Sequence, residues 1–145
     1  DDNTIHIIGM PALSRKIISA QNYTLYIRFV LEVYSSYKIK YFPHPAETSL
    51  EKNLLLEKIP GLIFIESKNV PYESQLESMS NIPSIIVGFY SSTLANIASF
   101  NLSKISVISY KINLDFIYND ERRKRVFKIY EKFERNPNIK VLEIV

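Results

Sequence analysis

The chain has 145 residues, 46% hydrophobic and 23% charged, which suits one domain built on a single core. A net charge of +3, with acidic and basic residues mixed along most of the length, argues against a nucleic-acid binder. With no cysteine, the chain has no disulfide, thiolate nucleophile or zinc–thiolate site.

Apolar runs alternate with helix-period segments. Thr4–Met10 reads as a buried strand ending at Gly9 and Pro11. From Gln21 to Ser36 the apolar residues Tyr23, Ile27, Val30, Leu31 and Tyr34 share one helical face. Lys38–Phe42 is a second strand stopped by Pro43, and Leu50–Lys58 a short helix closed by Pro60-Gly61. Leu62–Ile65 is a third strand, and Pro71–Met79 a short helix with Pro71 near its first turn. Ser84–Phe89 is a fourth strand, followed by a helix over Ser92–Ser99 and a fifth strand over Ile105–Tyr110. After a soft connection at Asn113–Asn119, Asp120–Arg135 is a long amphipathic helix burying Val126, Ile129, Tyr130 and Phe133. Ile139–Val145 is the last strand.

Strands that are continuously apolar, rather than alternating, are buried on both faces. The pattern therefore predicts an α/β fold with a parallel sheet and right-handed crossovers. Ligands of such sheets bind beyond the carboxyl ends of the strands. Four segments would meet there: Gly9-Met10-Pro11, Pro43-His44-Pro45, Glu66 with its loop, and Gly88–Thr93.

His44 lies between two prolines, so its backbone is stiff and its ring can be aimed at small entropic cost. It suits donation to a phosphate; the competing reading is a loop histidine without a task. Ser91, Ser92 and Thr93 open a helix. One hydroxyl suffices for an N-cap, and the other two, with the helix N-terminus, suit an anion. Glu73, in the first turn of a helix, suits either a ribose diol or a favourable placement at the helix dipole. Glu66 is a weaker candidate, Glu47 reads as a cap for the following helix, and His6 as a core histidine.

No metal is expected, since two distant histidines and no DxD pattern leave nothing at ligand spacing. Ser91 lacks a nucleophile-elbow sequence, and the glycine-rich nucleotide patterns are absent. Arg122-Arg123-Lys124-Arg125 reads chiefly as a solvated helix face, the alternative being a phosphate or peripheral inner-membrane contact. No apolar run approaches the roughly 20 residues of a bilayer span. No signal peptide is visible, so a cytoplasmic compartment is expected, and the opening Asp1-Asp2-Asn3 suggests a piece of a longer protein.

Tyr41-Phe42-Pro43-His44-Pro45-x-Glu47, followed by Ser91-Ser92, resembles the HP and SS motifs of bacterial sialyltransferases. The likeness is to the lipooligosaccharide sialyltransferases of glycosyltransferase family 52. Ile7-Ile8-Gly9-Met10-Pro11 and Ile17–Tyr23 also look like that family, and the likeness extends from about Thr4 to Asn101. The resemblance implies a GT-B enzyme of two Rossmann-like domains, this chain being the C-terminal, CMP-sugar-binding one. By the same resemblance His44 contacts and stabilises the departing CMP phosphate. Gly9, Pro43, Pro45, Gly88, Ser91, Ser92 and Thr93 would surround the nucleotide, and Glu73 would bind its ribose. It also implies a glycan acceptor, inversion without a metal or other cofactor, and a missing N-terminal domain.

One departure concerns the general base: where the family carries an aspartate, this chain has Gln21-Asn22-Tyr23, and Asn22 is no carboxylate base. Either the motif aligns a few residues away, the base lies elsewhere, with Asp1 and Asp2 as candidates if the terminus folds back, or the chemistry has changed. The helix at Asp120–Arg135 offers a surface for the missing domain or a homodimer, although core packing alone explains it. Two other readings stand beside this one: a GT-B-type transferase using another nucleotide-activated donor, and a non-enzymatic α/β interaction domain.

Overall fold

Apolar strands of this kind need cover on both faces, and the chain supplies it by alternating strand and helix almost without exception. A computed structural model describes residues 3–66, 69–100, 102 and 104–144. Its strands are β1 (Thr4–Ile8), β2 (Lys38–Phe42), β3 (Ile63–Phe64), β4 (Ile85–Gly88), β5 (Ser106–Lys111) and β6 (Ile139–Glu143). Between them run α1 (Ala20–Val33), α2 (Ser49–Lys58), α3 (Tyr72–Glu77), α4 (Ser92–Ser99) and α5 (Asp120–Glu134), with a 3-10 turn at Leu114–Phe116 before α5. Asp1, Asp2 and Val145, and with them two of the carboxylates considered above, lie outside the described residues.

All pairings are parallel, in the order β3-β2-β1-β4-β5-β6. This is the order of a doubly wound, Rossmann-like sheet, as the sequence predicts. Winding proceeds outward from β1 to β3, then restarts at β4 on the other side. The point of reversal lies between β1 and β4, which are in register at Ile7 and Val87.

Alternate strand residues assign the helices to faces. Tyr41 of β2 meets Tyr23 of α1, whereas Phe42, one residue on, meets Tyr72 of α3. Gly88 of β4 lies under Leu94 of α4, on the same side as Phe42 by the ladder register. Thus α1 covers one face, and α3 and α4 the other.

Helix ends follow local chemistry. Ser19 caps α1, Asn119 caps α5, and Thr48 with Glu51 forms a reciprocal capping box on α2. The expected cap, Glu47, is not used there. The soft connection at Asn113–Asn119 is tighter than expected, because Asn113 accepts from Asp115 N–H and closes the 3-10 turn. The third strand shrinks to two residues: it is an edge strand, and Ile63 is 40% exposed.

His6 is the core histidine that its strand position implies, only 2% exposed. Its Nδ1 lies 2.7 Å from the Tyr72 hydroxyl, and its ring packs on Phe42. Burial, aided by Lys40, pushes its pKa from 6.5 down to about 4. Between those values the unfolded chain binds a proton that the folded one refuses, so stability falls as pH drops through this window. The full effect is about 3 kcal/mol. Urea unfolding at neutral and acid pH should show this loss in the wild type and a smaller one in His6→Phe.

Candidate functional site

The carboxyl ends of β2, β1 and β4 lie side by side, and three loops rise from them. Gly9 N–H donates to Phe42 O, which ties the exit of β1 to the entry of the Pro43-His44-Pro45 loop. On the other side of β1, Phe89 leads from β4 into the start of α4. His44, Gly9 and Ser91 thus lie along one rim, in the order of their strands. Glu73 stands apart: it sits between α3 and α4, where one carboxylate oxygen accepts from Asn96 Nδ2 at 2.8 Å.

The His44 loop is built around the half-buried carboxyl group of Glu47. Glu47 accepts from the Tyr41 hydroxyl at 2.7 Å on one oxygen and from His44 N–H at 2.6 Å on the other. Tyr41 in turn lies 2.7 Å from the Tyr23 hydroxyl, which accepts from Met10 N–H. With Tyr41 donating to Glu47 and Met10 donating to Tyr23, the remaining proton runs from Tyr23 to Tyr41. The chain is therefore directional, from the β1 loop to the carboxylate. Burial pushes the Glu47 pKa up to about 8 against the pull of these hydrogen bonds, with Glu51 adding to the rise.

This cluster explains Gly9. A Cβ there would collide with the Tyr41 hydroxyl and the Glu47 carboxylate, so the position has no room for a side chain. Gly88 is a milder case: a Cβ there would meet the Leu94 side chain at 3.0 Å, a tight contact that a small shift of that side chain relieves.

His44 is half-buried. Its Nδ1 accepts from Ala46 N–H at 2.9 Å, so in the neutral ring the proton is on Nε2. Burial lowers its pKa, Arg15 lowers it further, and Glu51 opposes them, so the neutral ring prevails near pH 7. Together with Pro43, Pro45 and Glu47, it lines a pocket of about 190 Å³ whose far side carries the Lys52–Glu66 ion pair. Glu66 is thus engaged with a cation.

Ser91 takes the capping role, its Oγ accepting from Thr93 N–H at 3.1 Å. Ser92 is exposed and Thr93 half-buried in the first turn of α4. Asn22 occupies the first turn of α1, its N–H donating to Ser19 Oγ.

Two features escaped the sequence reading. Glu47 is the hub of the loop rather than a helix cap, and its only sequence signal is its closeness to Tyr41. The other is a basic cleft of about 400 Å³, where Arg122 and Arg125 of α5 face Arg15 and Lys16 of the β1–α1 loop. Arg122 and Arg125 thus share a cleft with the loop after β1, a neighbourhood that the helix pattern alone does not show. Arg123, by contrast, is held by Asp120 and the Ile117 carbonyl.

Among the described residues, no group of His, Asp and Glu has the makings of a metal site. No helix among them is long and apolar enough to cross a membrane. No protein-family model matches the chain, and no curated protein matches it in sequence.

Two outcomes are expected. Gly9→Ala should destabilise the fold by about 1–3 kcal/mol, read from denaturant midpoints, because the clash is with buried groups. The folded protein holds the Glu47 proton between about pH 4.5 and 8 while the unfolded chain releases it. Stability should therefore fall as pH rises through that window, at up to about 1.4 kcal/mol per unit. Glu47→Gln should flatten the slope in the same unfolding measurement.

Proposed function

We propose that this chain is the donor-nucleotide domain of a sialyltransferase. In this reading it holds CMP-sialic acid at the rim above β2, β1 and β4 and works with a second GT-B domain on a cell-surface glycan acceptor. The observation that carries the reading is the state of His44. A neutral ring whose Nδ1 is already occupied presents Nε2–H as a fixed donor, on a loop held from beneath by Glu47.

Such a donor suits a departing phosphate. As the bond between the sugar and CMP breaks, the sugar becomes oxocarbenium-like and negative charge grows on the phosphate oxygens. A donor already aimed there stabilises that state more than the ground state. Ser92, Thr93 and the N-terminus of α4 would hold the sugar carboxylate or the phosphate. Glu47 has both oxygens engaged, and Asn22 is not a base at neutral pH. The proton of the acceptor hydroxyl then falls to Asp1, Asp2 or a carboxylate of the second domain, and without that domain this chain alone should bind donor without transferring sugar.

Calorimetric titration with CMP, UMP and UDP tests the reading. CMP should bind in preference to the uridine nucleotides. His44→Ala should weaken it about tenfold or more, as expected for a lost hydrogen bond to a charged group. Ser92→Ala should weaken it less. Preference for UDP would move the protein to a different donor class. Indifference of the folded chain to every nucleotide, or of CMP affinity to His44→Ala, would overturn the proposal.

A further inference from the structure

The basic cleft lies over the loop that follows β1, the same loop that in dinucleotide-binding sheets carries glycines and delivers a helix N-terminus to phosphate. Here that loop is long, and it carries two consecutive cations instead. Its far wall is the start of α5, and the walls are joined where Tyr118 N–H donates to Ile17 O at 3.1 Å. Arg15, Lys16, Arg122 and Arg125 line the cleft with Tyr118 and Asn119. Among the described residues, none of the four cations makes an ion pair. Asp120 of the same turn is engaged by Arg123.

A second observation points to the same place. The Tyr90 hydroxyl is buried without a hydrogen-bond partner, which is costly for a polar group. Burial raises its pKa, and Arg122, Arg125 and Arg15 pull it back. Cations from two separate elements therefore act on the same hydroxyl. Four like charges gathered around one cleft repel, and an anion there relieves the repulsion. Guanidinium forks from both walls match phosphate oxygens.

We propose that this cleft is a second anion site, which binds a phosphomonoester or diphosphate group apart from the His44 pocket. The diester phosphate of a CMP-sugar carries one negative charge against four cations, so the site suits a dianionic phosphomonoester or a diphosphate better. The group could belong to a soluble molecule or to a phosphorylated lipid headgroup, and the chemistry of capture is the same.

Calorimetry with inorganic pyrophosphate, beside sedimentation with phosphatidylcholine vesicles with and without phosphatidic acid, tests this. Arg122→Ala/Arg125→Ala should weaken pyrophosphate binding about tenfold or more. Arg15→Ala, on the opposite wall, should weaken it too, and His44→Ala should change it less than about twofold. Binding should fall with added salt. Binding of pyrophosphate supports a soluble ligand, and arginine-dependent binding only to phosphatidic acid vesicles supports the lipid source. No binding to either, or binding that survives the arginine substitutions in folded variants, overturns the site. CMP is itself a phosphomonoester and can enter either site, so the substitutions separate the two readings: loss of CMP binding on His44→Ala assigns it to the rim, and loss on Arg122→Ala/Arg125→Ala assigns it to the cleft.

Discussion

The rim of this protein is organised by one half-buried carboxyl group, that of Glu47. A carboxyl group leaves water only at considerable cost unless hydrogen-bond partners replace its hydration. Glu47 finds them in the Tyr41 hydroxyl and the His44 N–H, and the line continues through Tyr23 to the backbone of Met10. One side chain thereby joins β2, the loop after it, α1 and the loop after β1. The position of His44 follows from this arrangement, and so does the absence of a side chain at Gly9.

The loop after β1 is the second organiser. It leans on the His44 loop through Ser14 and Ala46, on α2 through Leu13 and Glu51, and on the approach to α5 through Ile17 and Tyr118. Because the sheet reverses direction between β1 and β4, this loop stands at the centre of the carboxyl edge. Arg15, which it carries, acts electrostatically on His44 to one side and Tyr90 to the other.

The fold was legible because its signals are local. Continuous Ile and Val runs, a proline after β2 and helical apolar spacing suffice to place nearly every element. The edge strand β3 was overestimated, since an apolar run cannot reveal how much of it finds a partner. Strand order is a long-range property, and so are the features of the site that were missed. Gly9 and Glu47 are far apart in sequence, and only packing shows that one makes room for the other. Arg15 and Arg122 are further apart still. The periodicity of α5 shows which residues face away from the core, but not which of those face another part of the molecule.

The bond from Ala46 N–H to His44 Nδ1 sets a rule for charge on the ring. An imidazolium carries a hydrogen on both nitrogens, so its Nδ1 cannot accept. Protonation would set two donors against each other inside a three-residue stretch whose flanking prolines leave little slack. The charged ring and its bond from Ala46 are therefore mutually exclusive. Acidification would release Ala46 as well as charge the histidine, turning the ring from a fixed pointer into a swivelling one.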